Sequence, residues 1–437
     1  MVATAPLSGD TPPAQEGRLR IGALLRTNRN LRWLFFAQIV SFAGDWFAYV
    51  ALTGRIKQFT HSDILVSLVY VLETLPAFFM LPLAGSVADR FDRRKIIIGV
   101  SLLQAVAAGG MLLVRNEATV PIGLVCVALI SALGAFVFPA LQAAVPNLAR
   151  DPRETRAAAA VFGSTWGVML AVGSAAGGGF AAVFGRDAAF VANAVSFLAA
   201  ALFVALIVAP MQGERSPSKE RVRPLADMAE AARFARKDHV LLALLSSKMT
   251  AAIGSGIVGL LVVFATDELH GGDAASGLLM AARGVGAAVG PLLAARFVER
   301  DLSRLLTVCG MAGLVFGAGY LALSTTNVLV LGMVFVAVAH MGGGAQWTMS
   351  TYGLQIRSPD EIRGRILAGD FAIVTLVLSM SGLAAGLISE GTHNLRGTMV
   401  GFSALAAASA VVNLVVTRRL RRRLRTEAHE VSGATSV

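Results

Sequence analysis

The sequence is poor in charge, in cysteine and in aromatic residues. Of its 437 residues only 15% are charged and 7% aromatic, whereas 55% are hydrophobic and the mean hydropathy is +0.68. Soluble globular domains carry more charge and less apolar content. The two cysteines, Cys126 and Cys309, both fall inside long apolar stretches, so a disulfide framework and a CxxC metal site are excluded. Lipid is therefore the expected solvent for most of the chain.

Motifs for nucleotide binding and for hydrolytic catalysis are also missing. The sequence contains no GxxxxGK[ST], HExxH or GxSxG pattern, and the glycines at 284–290 miss the GxGxxG spacing. A single histidine, His340, is predicted at mid-membrane depth. We therefore expect no enzyme activity, no cofactor, no metal site and no ATP-driven pumping by this chain.

Apolar stretches of about 20 residues recur along the chain. At about 1.5 Å per residue, each is long enough to cross a hydrocarbon layer of roughly 30 Å. The pattern predicts an all-α integral membrane protein with twelve transmembrane helices. They are expected at 31–54, 64–84, 95–115, 119–146, 157–183, 187–209, 239–265, 274–295, 304–324, 328–352, 366–389 and 397–417.

Polar segments divide these helices into two sets of six. Residues 1–30 lack an apolar core of signal-peptide length and are predicted to form a disordered cytoplasmic tail. An N-terminal bundle over 31–209 and a C-terminal bundle over 239–417 flank a cytoplasmic linker at 210–238. A basic cytoplasmic tail is predicted at 418–437.

Internal similarity supports a duplicated architecture. The segments ALQAAVPNLAR (140–150) and GLQIRSPDEIR (353–363) share the pattern LQ-x3-P-x3-R, and ADRFDRR (88–94) aligns with AARFVER (294–300). Both displacements are close to half the chain, as an internal repeat requires. The two bundles are therefore predicted to be related by pseudo-two-fold symmetry.

A formal charge of +11 raises the question of a nucleic-acid partner. Most of the 38 lysines and arginines, however, fall in alternate loops and in the two tails. This bias predicts a multi-pass protein of the cell membrane with both termini in the cytoplasm. Because no basic face with interleaved aromatics occurs, we expect no nucleic-acid partner. We interpret RRLRRRLR (418–425) as a topology anchor rather than as a headgroup-binding segment.

Five ionisable residues are predicted at or near the middle of the membrane: Asp45, Glu73, Lys248, Arg283 and His340. Such residues are costly in lipid and usually face a cavity or a partner. Asp45 and Glu73 are the candidates for proton coupling, and Lys248, Arg283 and His340 are candidates for the substrate cavity. The alternative is that either acid forms a structural ion pair with Lys248 or Arg283.

Polar residues at helical spacing predict the walls of a cavity between the bundles. The first helix carries Gln38, Ser41, Asp45, Tyr49 and Thr53, the second Tyr70 and Glu73, and the tenth His340, Gly344, Trp347 and Thr351. The Trp347 indole could stack on an aromatic or cationic ligand. Asp370, by contrast, is interpreted as a structural charge near the start of the eleventh helix.

The segment GSVADRFDRRK (85–95) resembles the loop signature G-x-x-x-D-R-x-G-R-R of the major facilitator superfamily, with Asp92 at the second glycine position. The resemblance implies a conformational latch whose ion pairs exist in one state and break in the other. Its residues would be Gly85, Asp89, Arg90, Asp92, Arg93 and Arg94. Asp89 would face the start of the eleventh helix. The alternative is that the cluster only sets topology.

Further segments narrow the resemblance to bacterial exporters that include enterobactin-type siderophore exporters and macrolide efflux proteins. They are FPALQAAVPNL (138–148), FVANAVSFLAA (190–200), SPDEIRGRI (358–366) and GDW (44–46). In addition, GSAAGG (173–178) is similar to the antiporter motif G-P-x-x-G-G. Gly173, Gly177 and Gly178 match this motif, and Ser174 replaces its proline.

We therefore expect a secondary active transporter that exports an amphipathic small molecule, a siderophore or a drug, by proton antiport and alternating access. Its partners would be that small molecule, protons and membrane lipids, and it would act as a monomer. Two alternatives are a lipid or lysophospholipid transporter of the same fold and a non-transporting membrane receptor.

Overall fold

The computed structural model describes residues 21–212, 232–298 and 301–434. Within these residues, 12 helical segments have the length and composition needed to cross a membrane, which confirms the expected number. Spans 1 to 6 are Arg29–Thr60, Asp63–Arg90, Arg93–Leu113, Glu117–Leu148, Pro152–Phe184 and Arg186–Ala205. Spans 7 to 12 are His239–Glu268, Gly272–Val298, Leu302–Leu323, Leu329–Arg357, Asp360–Thr392 and Leu395–Val416.

Polar residues immediately before the helix fix where several spans begin, because their side-chain oxygens accept hydrogen bonds from the free N–H groups of the first turn. Ser62 caps span 2 and Asp151 caps span 5. Asp92 caps span 3 by accepting a hydrogen bond from Arg94 N at 2.9 Å. Capping thus explains physically why an aspartate replaces the second glycine of the loop signature.

Spans 1–6 (the N-terminal half) and spans 7–12 (the C-terminal half) repeat the same packing pattern. Span 1 packs on spans 5 and 6, as span 7 packs on spans 11 and 12. Span 3 packs on spans 4 and 6, as span 9 packs on spans 10 and 12. Contacts of span 5 with span 8 and of span 2 with span 11 join the halves. This repetition is the predicted pseudo-two-fold relation.

Span 7 is interrupted, although the sequence predicts one unbroken helix. The α-helix ends at Gly254, restarts at Gly256 and finishes in a π-helical turn, Phe264–Glu268. Ser381 of span 11 stabilises the break, since its hydroxyl accepts from Gly256 N at 2.8 Å and donates to Ile253 O at 2.5 Å. A Cβ at Gly256 would lie 2.3 Å from Ser381 O, so only glycine permits this approach.

The segments predicted as tails are partly helical. Ile21–Thr27 forms a helix inside the predicted disordered tail, and Leu24 is fully buried. Asn28 fixes this segment by donating from Nδ2 to Leu148 O at 2.9 Å. The basic segment after span 12 forms the helix Arg418–Ala434. Most of the predicted linker at 210–238 lies outside the described residues.

We call the end of the molecule at which span 1 finishes the outer end, following the predicted topology. One apolar core at this end includes residues of both halves, such as Tyr49, Tyr70, Leu260 and Met280. At the inner end, each half has its own apolar cluster. The cluster of the N-terminal half includes Leu34, and that of the C-terminal half includes Leu244. The halves are therefore packed together at the outer end and have separate cores at the inner end.

Candidate substrate and proton site

Three ionisable side chains come together at mid-membrane depth where the halves meet. Asp45 of span 1 and Glu73 of span 2 interact electrostatically, and the charge of Arg283 of span 8 acts on Glu73. The two acids belong to the N-terminal half and the base to the C-terminal half. The structure thus brings together three of the residues that the sequence places at one level.

This cluster contains polar atoms without partners. Asp45 Oδ1 and Arg283 Nε are shielded from solvent and have no hydrogen-bond partner in the described part of the chain. An unsatisfied buried polar group costs about 1–3 kcal/mol, and more when it is charged. A proton, an ion or a polar group of a ligand would remove that cost.

Two tyrosines border the cluster. Tyr49 and Tyr70 are both buried, and both lie in the field of Glu73 and Arg283. The Tyr49 hydroxyl has no hydrogen-bond partner among the described residues, and the Trp46 ring packs edge-on against the Tyr49 ring at 5.6 Å. The site therefore combines aromatic walls with a free hydroxyl, which suits an amphipathic aromatic ligand.

His340 belongs to the same electrostatic neighbourhood, since the charge of Arg283 acts on it. Its Nε2 lies 2.7 Å from the Tyr320 hydroxyl, and its ring packs edge-on against Phe316 with centroids 5.6 Å apart. Tyr320 was not among the residues predicted from the sequence to line the site. The available signal was that this residue is one of only four tyrosines and follows a glycine-rich stretch of span 9.

Lys248 does not join the acids of the N-terminal half. It forms an ion pair with Asp370, donates to Thr351 Oγ1 at 2.9 Å and lies 4.7 Å from the centroid of the Trp347 ring. The interpretation of Asp370 as a charge at a helix start was wrong. The helix of span 11 begins at Asp360, so Asp370 lies nearly three turns inside it and is buried. Lys248 and Asp370 neutralise each other within the C-terminal half.

Other predicted cavity residues contact their own half. Gln38 donates from Nε2 to Phe162 O at 3.4 Å, and its Oε1 is buried without a partner in the described residues. Ser41 is partly buried on span 1. Gly344 packs on span 8, where an added Cβ would meet Ala287 O at 2.6 Å. The residues predicted to line one cavity wall on span 10 therefore have different roles. His340 contacts Tyr320, Gly344 packs on span 8, and Trp347 and Thr351 contact Lys248.

The antiporter-like glycines serve close helix packing. A Cβ at Gly173 would lie 3.3 Å from the Trp46 ring, and one at Gly177 would lie 2.8 Å from the Phe47 backbone, both in span 1. A Cβ at Gly178 would lie 2.8 Å from Gly277 Cα in span 8. Gly178 is therefore the member of this motif at which the two halves touch.

Within the predicted latch, Arg93 and Arg94 bind backbone carbonyls. Arg93 donates to Ala143 O at 2.8 Å and to Met211 O at 3.2 Å, and Arg94 donates to Ala209 O at 2.9 Å. These bonds tie the start of span 3 to the inner ends of spans 4 and 6. Gly85 and the side chains of Asp89 and Arg90 lie outside what the structure describes, so the latch stays a prediction.

Ion pairs join the halves at the outer end. Arg186 of span 6 makes a two-point contact with Asp273 of span 8, at 2.8 and 2.9 Å. Lys57 of span 1 contacts Asp267 of span 7 at 2.7 Å and Asp63 of its own half at 2.9 Å.

Spans 2 and 11 add hydrogen bonds to this contact. Glu390 Oε2 accepts from the Ser62 hydroxyl at 2.5 Å and from Ile64 N at 3.0 Å. Asp63 Oδ2 accepts from the Ser389 hydroxyl at 2.6 Å. We call these ion pairs and hydrogen bonds the outer seal. Sequence reasoning missed it, because its partners lie far apart in the sequence and come together only when the halves pack.

Twelve spans in two repeated halves, with an ionisable cluster between them, define a transporter of the major facilitator superfamily. Comparison with protein families supports this assignment, since residues 23–434 match the family described as "transmembrane secretion effector". The chain belongs to this family, an exporter branch of the superfamily, and is a multi-pass membrane protein.

Several relatives carry the names of exporters. The chain is 27% identical to the enterobactin exporter EntS of Citrobacter koseri, over 84% of this chain and 92% of that protein. It is 23% identical to the putative bacilysin exporter BacE of Bacillus subtilis, over 82% of this chain and 89% of that protein. A solved bacterial homologue of the human lysosomal transporter Spinster shares the fold, with a TM-score of 0.70, 17% identity and coverage of 90% and 98%.

Proposed function

We propose that this protein exports an amphipathic small molecule, a siderophore or a drug, across the cytoplasmic membrane in exchange for protons. The observation that carries the proposal is the central cluster, in which the charge of Arg283 in one half acts on Glu73 in the other and Arg283 retains an unsatisfied Nε. The similarity to exporters of enterobactin and bacilysin supports the substrate class. Both termini would lie in the cytoplasm, and the monomer would be the working unit.

The charges of the cluster suggest how substrate and protons exchange. Ionised Glu73 attracts Arg283 and so holds the halves together at mid-membrane depth. A hydrogen-bond donor of the substrate that contacts ionised Glu73 takes the position that a proton would occupy, while the unsatisfied Nε of Arg283 donates to an acidic or phenolic group of the same molecule. Asp45 shares the field of Glu73, so the two acids favour uptake of one proton between them. Substrate and proton thus compete for one site.

Alternating access follows from the outer seal. While the seal is intact, the site is closed toward the outer end and a substrate enters from the inner end. Opening outward requires Arg186 and Lys57 to leave their partners in the C-terminal half. A ligand drives this change only through tighter binding to the outward-open state.

The test is the pH inside everted membrane vesicles that contain the protein and hold a pre-formed proton gradient. Candidate siderophores and drugs are added one by one. Transported compounds should collapse the gradient with the wild type but not with Asp45→Asn or Glu73→Gln. Glu117→Gln removes an exposed carboxylate at the outer start of span 4 and serves as the matched control.

Full gradient-driven transport by both variants of the cluster would refute proton coupling through these acids. If no compound of either class collapses the gradient, a lipid or lysophospholipid substrate replaces the proposed one. Binding without flux under any gradient would identify a receptor instead. Arg283→Gln should weaken anionic compounds selectively, and an equal loss for cations and anions would make Arg283 a structural counter-ion.

A further inference from the structure

The helix that follows span 12 has an unusual distribution of charge. This helix, Arg418–Ala434, is called the C-terminal helix, and the side chains of 418–426 are described. Only Thr417 separates it from span 12, and Thr417 keeps nearly helical backbone angles, with φ −80° and ψ −2°. Helical spacing therefore carries over from the membrane span into the basic segment.

One face of the C-terminal helix is docked on the protein. Leu420 and Leu424 pack against the apolar cluster at the inner end of the C-terminal half. Arg421 donates to Thr307 Oγ1 at 3.1 Å, and Arg425 donates to Ser303 Oγ at 3.1 Å, both in span 9. The helix is thus held against the inner ends of the spans.

The opposite face carries four exposed arginines: Arg418, Arg419, Arg422 and Arg423. None of their guanidinium groups forms an ion pair or a hydrogen bond with a described residue. Burial and the like charges of Arg425 and Arg418 lower the pKa of Arg421, which agrees with an accumulation of positive charge over residues 418–425. A solvated arginine face of this kind is complementary to a dense array of anions.

These arginines continue the lipid-facing side of span 12. That side carries Val411, Val412, Val415 and Val416, which are 48%, 60%, 65% and 73% exposed. Steps of three and four residues lead from this group to Arg418, Arg419, Arg422 and Arg423, so both groups lie on one side of the helix. The arginines therefore lie directly beyond the residues that contact acyl chains.

The dimensions fit the headgroup layer. From Arg418 to Arg423 the helix rises about 7.5 Å, and the polar layer on one side of a bilayer is roughly 5–7.5 Å thick. A topology anchor needs positive charge on one side of the membrane, but it does not need a docked helix that turns four arginines toward lipid. We propose that this arginine face binds the phosphates of acidic phospholipids in the adjacent leaflet.

The first experiment counts lipids bound to the full-length protein. Native mass spectrometry of detergent-purified protein, titrated with palmitoyl-oleoyl phosphatidylglycerol, gives the apparent affinity, and phosphatidylcholine serves as the neutral reference. Replacing Arg418, Arg419, Arg422 and Arg423 together by glutamine should lower the affinity for phosphatidylglycerol at least about tenfold. The corresponding quadruple lysine variant keeps the charge and should retain most of the binding.

The matched control removes four exposed charges elsewhere at the inner end: Arg26, Arg29, Lys95 and Lys237, each replaced by glutamine. This control should bind phosphatidylglycerol like the wild type. An equal loss in both glutamine variants would overturn the proposal, because binding would then follow net charge alone. Wild-type affinity in the C-terminal variant would also overturn it.

A second measurement does not depend on counting lipids. Hydrogen exchange of residues 418–426 should be slower in nanodiscs with phosphatidylglycerol than in nanodiscs of phosphatidylcholine alone, and the difference should vanish in the quadruple glutamine variant. Equal exchange rates in both bilayers would contradict the proposal. Displacement of phosphatidylglycerol by single-stranded DNA at equal phosphate concentration would assign the arginine face to nucleic acid instead.

Discussion

Breaking the contact between Arg186 and Asp273 should shift the protein toward its outward-open state. This pair is the most enclosed ion pair that crosses the outer seal, with side chains 21% and 10% exposed. It also contributes two hydrogen bonds, at 2.8 and 2.9 Å. Asp273→Asn keeps the shape of the side chain and removes the charge, so it isolates the ionic contribution.

The magnitude follows from the partial burial. Hydrogen bonds to charged groups contribute about 1.5–3 kcal/mol each, whereas fully exposed pairs contribute about 0–1 kcal/mol. Since Arg186 keeps some contact with solvent, we expect a loss of about 2 kcal/mol from the closed outer end. At 1.4 kcal/mol per factor of ten, the ratio of outward-open to outward-closed molecules should rise about 30-fold.

Pulsed electron paramagnetic resonance on doubly labelled protein measures this ratio. Spin labels at positions 117 and 328 lie on exposed outer residues of the two halves, in a background with Cys126 and Cys309 replaced by serine. Asp273→Asn should add a population with a longer distance between the labels. The exchanged pair Arg186→Asp with Asp273→Arg should return the distribution toward that of the wild type.

Arg115→Gln is the matched control, because it breaks a 2.5 Å ion pair with Asp187 inside the N-terminal half at the same end. That variant should leave the distance distribution unchanged. The reasoning fails if Asp273→Asn gives the wild-type distribution, or if Arg115→Gln lengthens the distance by the same amount.

Three further predictions concern packing and buried pairs. Asp370→Asn leaves the Lys248 charge without its buried partner and should destabilise the protein by about 3–5 kcal/mol. The loss should appear as a lower midpoint of thermal unfolding in detergent. The double variant Lys248→Met with Asp370→Leu should recover most of the stability, and a further loss would contradict the pairing. Gly178→Ala places a Cβ 2.8 Å from Gly277 Cα and should reduce transport. Gly179→Ala, whose added Cβ would meet no neighbouring atom within 4 Å, should transport normally. Equal transport rates for the two variants would show that the halves do not need this contact. Tyr320→Phe leaves His340 Nε2 unpaired and should cost about 1–3 kcal/mol in thermal unfolding, and an unchanged midpoint would show that the bond contributes nothing.

Local sequence patterns were sufficient for the spans and their pairing into halves. A membrane helix must hydrogen-bond its own backbone groups and expose apolar side chains to lipid, so about 20 consecutive residues are enough to predict each span. The duplication was visible in short repeats. The break in span 7 was not, because it depends on Ser381, which lies far away in the sequence and supplies the hydrogen bonds that the gap requires.

The candidate site was predictable by depth but not by partner. Depth placed Asp45, Glu73 and Arg283 at one level, and the structure brings them together. The pairing of Lys248 with Asp370 was missed, because the start of span 11 was expected later than its actual start at Asp360. Moving the helix start changes Asp370 from a terminal charge into a buried one, and a buried carboxylate requires a partner.

The charges that face the boundary between the halves differ systematically with depth. At the outer end every charge of the seal has a partner in the opposite half, as Arg186 has in Asp273 and Lys57 in Asp267. At mid-membrane depth, Asp45 Oδ1 and Arg283 Nε have no partner among the described residues. The paired charges of the outer seal stabilise the closed outer end. The unpaired atoms of the central cluster are where a bound ligand can contribute binding free energy.

Reversing a 1:99 equilibrium to 99:1 requires a differential affinity of about 5.5 kcal/mol. This is of the order of two or three partly buried ion pairs in the seal. A substrate that acts on Asp45, Glu73 and Arg283 would therefore have to bind the outward-open state more tightly than the outward-closed state by about that amount. A substrate without an acidic or phenolic group cannot use Arg283 in this way, and such a compound would have to obtain the difference from the acids and the aromatic walls of the cluster.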